Sequence, residues 1–352
     1  MDDKGTQLLR RILSTPSPSG FERPVQEHVR AYLAEFADEI RTDLHGNVIA
    51  VKNPGGKLRL MLAGHCDQIG MLVQHVDAEG FIYAQTIGGW DPQVLIGQRM
   101  TLWTASGPVP GIIARKPIHL LTEEERKQVT KLKDLWIDIG AKDRADALAV
   151  VRIGDPITLE LTYQELKNNT ACSPAMDDKS GLWVVLEAFR RASAGPLDCA
   201  LVVVSTVQEE IGLRGAATSS YSVQAQVGIA VDVTHATDCP TIDKKQEGEV
   251  KLAGGPVIYR GPNMNPVVVE RLIQVAEKQS IAYQLAASGR ATPTDANTMQ
   301  VSRGGVATAL VSVPNRYMHS PVEMISLDDI DHTADLLAGF AASLKANDDF
   351  RP

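Results

Sequence analysis

The stretch Ala200-Leu-Val-Val-Val-Ser-Thr-Val-Gln-Glu-Glu210 decides the fold. Its first half is continuously apolar and rich in β-branched residues, as expected of a strand buried on both faces of a parallel sheet. Its second half ends in two adjacent carboxylates. Open α/β sheets bind their ligands at that end of their strands. The same plan recurs on either side. The run 58–63 leads into His65-Cys66-Asp67, Val227–Val231 ends at Asp232, and 306–313 precedes Arg316-Tyr-Met-His-Ser320. Helical spacing covers 177–192, 266–279 and 327–344; in the last, Ile330, Ala334, Leu337, Phe340 and Leu344 share one face. Helical patterns over 5–14 and 22–36 and a strand over 48–51 open the chain. Apolar strands alternating with helices predict a largely parallel, buried sheet.

The texture changes between 69 and 163. Short β-like runs (71–76, 81–86, 99–104, 110–115, 135–139, 156–161) are punctuated by Gly and Pro, with brief helical stretches near 123–131 and 143–150. Regularly spaced short strands predict a small β-barrel or sandwich. The expected organisation is a discontinuous catalytic domain, 1–68 and 164–352, interrupted by an inserted β-domain at 69–163.

Composition narrows the function. At 352 residues the chain exceeds the usual limit for one core. A net charge of -8 with no Lys/Arg block, and only 5% aromatic residues, argue against nucleic acid as a partner. No apolar run approaches the roughly 20 residues that a membrane span needs. Cys66, Cys172, Cys199 and Cys239 are widely spaced without a CxxC pair, and the N-terminus is polar. A reduced, cytoplasmic protein is expected.

His65, Asp177, Glu209, Glu210, Asp232 and His319 are the candidate chemistry. Imidazoles and carboxylates at strand ends suit two nearby divalent ions, with one carboxylate free to bridge. Each also has a plainer explanation. A strand-end His is commonly structural, Asp177-Asp178 could cap a helix, and Glu209-Glu210 could be a solvated pair. Asp232 is costly to bury unpaired after Gly-Ile-Ala-Val. Jointly the set points to one bimetal hydrolytic centre. The remaining histidines default to structural or surface roles, with His235 kept as a neighbour of the centre.

These residues sit in stretches that resemble the cobalt- or zinc-activated metalloaminopeptidases of the tetrahedral (TET) type, which include glutamyl, leucyl, lysyl and deblocking enzymes. The matching stretches are Gly64-His-Cys-Asp-Gln-Ile-Gly70, Met176-Asp-Asp-Lys-Ser-Gly181, Thr206 to Ala216, Val231-Asp-Val-Thr234, Thr294-Asp-Ala296 and Pro314-Asn-Arg-Tyr-Met-His-Ser-Pro321. They keep the family's order over nearly the whole chain. Lys179 stands where Arg is common, Cys66 lies between the usual His and Asp, and Pro293 replaces a frequent Gly.

The resemblance implies an α/β/α metallopeptidase sandwich of the phosphorylase/hydrolase-like kind with an inserted PDZ-like β-barrel. It implies that Asp177 bridges two divalent ions (zinc or cobalt, with manganese possible), with His65 and Asp232 completing one site and Glu210 and His319 the other. Glu209 would be the general base for a water held between the ions, and Asp67 would hydrogen-bond the His65 imidazole. Asp178 is either a helix cap, the favoured reading, or a neighbour of the centre. Short peptides would be the substrates, and the insert would build dimers that assemble into a tetrahedral dodecamer.

Rival readings are a related deacylase, dipeptidase or carboxypeptidase, a glycosidase, and a non-catalytic scaffold. Asp-Asp-Lys fits the first group slightly better, but that group needs a different small domain. Adjacent Glu209 and Glu210 make a poor glycosidase pair, and a scaffold has no use for Glu209.

Overall fold

A computed structural model describes residues 1–352. In chain order its first strands are β1 (Glu39–Thr42), β2 (Val48–Lys52) and β3 (Arg59–His65). Next come β4 (Gly70–Val76), β5 (Ile82–Ile87), β6 (Arg99–Thr104), β7 (Gly107–Ala114), β8 (Trp136–Asp138) and β9 (Pro156–Leu159). The chain continues with β10 (Gln164–Leu166), β11 (Thr170–Cys172), β12 (Ala200–Thr206), β13 (Val227–His235) and β14 (Val257–Arg260). The last strands are β15 (Gln284–Ala287), β16 (Ala307–Asn315) and β17 (Met324–Ser326).

Eight strands make the main sheet, in the order β1-β2-β12-β3-β13-β16-β14-β15. The central strands β12, β3, β13 and β16 run parallel. They are apolar and buried, β12 along its whole length, because helices cover both faces. On one face pack Asp3–Leu13, Met176–Ala192, Pro266–Gln279 and Leu327–Ser343; on the other pack Arg214–Val223 and Asp295–Gln300. This is the expected α/β/α sandwich. The outer strands β2 and β14 run antiparallel to their central neighbours, and a small sheet, β10-β11-β17, lies apart.

Six strands of the middle segment close into a barrel in the order β4-β5-β8-β7-β6-β9. The barrel encloses its own apolar cluster, including Met71, Leu102, Ile137 and Ile157, separate from the large core of the sandwich. Closing the barrel removes the unpaired edges that six short strands would otherwise expose.

The parallel register lines up the chemistry. Thr206 of β12 pairs with His65 of β3, Ala230 of β13 pairs with Ala63, and Asp232 pairs with Ser312 of β16. The C-terminal ends of all four strands therefore meet at one edge. The main covering helix reaches that edge through close packing. A Cβ on Gly64 would lie 2.9 Å from the Gly181 carbonyl oxygen, so glycine at 64 allows the helix to press onto β3.

Candidate active site

Each site residue comes from the end of a strand or the start of a helix. His65 ends β3, Glu209 and Glu210 follow β12, Asp232 lies in β13, and His319 follows β16. Asp177 comes from the head of Met176–Ala192. That helix does not begin with regular geometry as the apolar spacing suggested, because Asp177 and Asp178 both have non-helical backbone angles. Asp178 then caps the regular part, its Oδ1 accepting from the Gly181 N–H at 3.1 Å. Its Oδ2 accepts from the His65 N–H at 3.3 Å, so Asp178 is both a cap and a support for the site.

The fold gathers all of these residues. His65 Nε2 lies 3.2 Å from Asp177 Oδ1, 3.8 Å from Glu209 Oε2 and 4.0 Å from Asp232 Oδ1. His319 Nε2 lies 3.3 Å from Asp177 Oδ2 and 3.6 Å from Glu210 Oε1. The two oxygens of Asp177 thus face one imidazole each, as a bridging carboxylate would. Two donor triads result, His65/Glu209/Asp232 and Asp177/Glu210/His319, with the donor atoms of each triad all within 4.8 Å of one another.

The electrostatics call for cations. Burial first, then neighbouring carboxylates, pushes Glu209 up to about 10 and holds Glu210 and Asp232 well above the usual carboxylate range. Asp177 behaves oppositely. Burial raises it, but the His319 and His65 imidazoles outweigh burial and hold it below the usual range. No Lys or Arg pairs with any of the four; their cationic contacts are His65 and His319 alone. The buried Oε1 of Glu210 has no hydrogen-bond partner. A cluster of buried carboxylates with an orphaned oxygen and two imidazoles fits divalent cations.

Buried carboxylates behind the donors fix their positions. Asp67 was expected to bond the His65 imidazole through its carboxylate. Its backbone carbonyl takes that place, 3.1 Å from Nδ1, while Oδ1 stands off at 3.5 Å. The carboxylate is occupied by the backbone N–H of Glu209 (3.0 Å), the N–H of Glu210 (3.2 Å) and the Ser19 hydroxyl (2.7 Å). Glu323 is its counterpart, accepting from the N–H of Asp177 and the N–H of His319, both at 2.8 Å.

Sequence reading passed over Glu323, although it sits four residues past His319. It belongs to no apolar period and no acidic cluster, and only the meeting of two distant backbones gives it a task. Asp295 was also left without a role. It is buried beside the centre with Oδ2 accepting from the Thr206 hydroxyl at 2.6 Å. His235 is exposed at the end of β13 and lines the cavity above the donors, without a bond to any of them. The cavity holds about 540 Å³. Gly89, in the loop after β5, reaches over it from the barrel side, close to the His319 ring.

Comparison with known proteins agrees with this geometry. The family model described as M42 glutamyl aminopeptidase matches residues 46–336. The lysyl aminopeptidase of Pyrococcus furiosus is 36% identical over 348 residues, spanning 97% of this chain and 98% of the relative. The crystal structure of a TET aminopeptidase from a marine sediment archaeon, Thaumarchaeota archaeon SCGC AB-539-E09, matches with a TM-score of 0.93 and 34% identity, covering 97% of each chain. A Pyrococcus horikoshii TET1 peptidase, which can assemble into a tetrahedron or a large octahedral shell, matches with a TM-score of 0.85 and 28% identity, covering 97% of this chain and 100% of its own. The chain belongs to the M42 glutamyl aminopeptidase family and is a TET-type, metal-dependent aminopeptidase.

Proposed function

We propose that the chain removes N-terminal residues from short peptides with two divalent ions, zinc or cobalt, with manganese possible. The observation that carries this reading is Asp177, whose two carboxylate oxygens each face a different imidazole at 3.2 and 3.3 Å. His65 and Asp232 complete one cation site, and Glu210 and His319 the other. When bound, such a pair supplies an acidified water nucleophile and stabilises the negative charge that develops on the scissile carbonyl oxygen.

The chain's own residues do the rest. Glu209 is the general base. Its carboxylate borders the cavity beside both triads, and it can take the proton of the attacking water and return it to the leaving amine. The first triad also counts Glu209 among its donors; the base role rests on the resemblance to the TET-type enzymes. Asp67 holds Glu209 and Glu210 by their backbone amides, which fixes the base relative to the ligands. The acidic wall attracts the substrate's free α-ammonium, gives no such attraction to a neutral blocked end, and repels a carboxylate.

Chelation should abolish hydrolysis of a free tripeptide, and zinc or cobalt should restore it. N-acetylation of the same peptide should protect it. Equal cleavage of free and acetylated peptide would overturn the aminopeptidase reading.

We read the barrel region, about 69–163, as an inserted assembly domain, with 1–68 and 164–352 as the catalytic unit. The separate apolar cluster of the barrel and the TET shell of the Pyrococcus horikoshii structure support it. Dimers joining into a tetrahedral dodecamer follow, and light scattering should give a mass many times that of one chain. All four cysteines are free, which suits a cytoplasmic location; no helix is long and apolar enough to cross a membrane.

A further inference from the structure

The relatives carry names for opposite preferences. One is called a lysyl and another a glutamyl aminopeptidase, the latter from Lactococcus lactis. Preference for a charged first residue needs a fixed opposite charge where its side chain lies, because a charge buried without a partner is expensive.

The cavity above the donors has no such charge to spare. Apart from Asp177, Glu209, Glu210, Asp232 and His319, its lining includes no Asp, Glu, Lys or Arg. The walls are Leu213, Tyr259, Pro293, Leu310 and Met318, with Thr and Ser side chains between them. The Tyr259 and Thr234 hydroxyls share a hydrogen bond at 2.7 Å. His235 is the one basic side chain outside the donor set, and it is exposed at the rim.

Charges appear only farther out. The cavity shares Thr234, His235, Tyr259, Thr292, Pro293 and Met318 with a wider one of about 1210 Å³. That outer space carries Asp243, Lys245, Glu247, Glu249 and Arg290, all exposed and of both signs. A substrate that begins at its α-amine has no residue before the first. With that amine held at the carboxylates, the first side chain would lie in the inner cavity and the rest of the peptide would leave through the outer one.

We propose that this enzyme selects uncharged, medium-sized N-terminal residues of the leucine and methionine kind, against both glutamate and lysine. This inference rests on the aminopeptidase reading and deepens it. The inner walls offer apolar contact to such side chains, and the mixed-sign outer space tolerates varied residues downstream.

The test is a panel of aminoacyl-anilides (Leu, Met, Ala, Glu, Lys) with the metal-loaded full-length enzyme. Leu and Met should exceed Glu and Lys in kcat/KM by on the order of tenfold or more. Greater activity on Glu or Lys would overturn the proposal and leave the aminopeptidase reading intact. Activity on none of the five would remove both. Leu213→Asp then probes the wall directly, since Leu213 has φ 58°, a conformation that Asp tolerates better than Leu. It should raise the Lys-to-Leu ratio of kcat/KM about tenfold, and an unchanged ratio would place the first side chain elsewhere and overturn the proposal.

Discussion

The two donor triads use the same chemistry in different surroundings. His65, Glu209 and Asp232 are all buried, and the His65 side chain is 2% exposed. In the second triad Asp177 is buried as well and the Glu210 side chain is only 7% exposed; His319 alone opens to solvent, its side chain 33% exposed. The difference follows from the backbone beneath each triad. His65 and Asp232 lie on paired neighbouring strands at the centre of the sheet. His319 sits on an irregular segment past β16, with φ 59°, held by Glu323 and overhung by the barrel-side Gly89. One triad is built into the scaffold, while the other is assembled from segments that need a tether.

The largest expected effect comes from the one residue that faces both histidines. Asp177→Asn should lose both ions and all measurable turnover, because a neutral amide bridges two cations poorly. Metal analysis after gel filtration would show it, and a variant that kept both ions would break the bridging role.

Glu209→Gln is the next step down. As the base it should cost about two to four orders of magnitude in kcat with both ions retained. Loss of one ion from this variant would instead make Glu209 a ligand of the buried triad, which its 3.8 Å approach to His65 allows geometrically.

Removing one histidine at a time sharpens the contrast between the triads. His319→Ala should leave about one ion per chain and a melting temperature close to the parent's under apo conditions. His65→Ala should also destabilise the apo-protein, since it opens a hole in a fully buried position, typically a cost of about 1–3 kcal/mol. Equal apo-stabilities for the two variants would erase the distinction drawn here.

The smallest effect belongs to the tether. Glu323→Gln keeps the shape but replaces one accepting oxygen with an NH₂ group facing a backbone N–H. Affinity at the His319 site should weaken about 10- to 100-fold, the usual range for groups that support ligands, with a smaller loss at the His65 site, which shares Asp177. Equal weakening at both sites would make Glu323 a general structural prop.

Much of this contrast was legible in the sequence. The apolar run of β12 with Glu209-Glu210 behind it located both the sheet and its reactive edge, because a strand buried on both faces leaves an unbroken signal. The barrel strands were visible as Gly- and Pro-punctuated runs. The outer strands β1, β14 and β15 were not, being four residues each and only partly apolar. Helix Arg214–Val223, rich in Ser and Ala, gave no strong apolar stripe either. At the site, the donors themselves were readable because unpaired buried acids and histidines are improbable without a task. Their supports were legible only in part: Asp67 was readable as a partner of His65, but neither its hold on the Glu209 and Glu210 amides nor Glu323 was. Asp67 acts through Glu209 and Glu210, and Glu323 through Asp177 and His319, by backbone amides that any residue type would present. Only the folded geometry selects those contacts.

Calorimetric titration of the metal-depleted protein with zinc or cobalt, with activity assayed at each step, tests the two-site centre most directly. Two unlike sites sharing Asp177 predict two ions per chain, a tighter and a weaker one, with turnover rising only as the second site fills. Saturation at one ion per chain with full activity would contradict it.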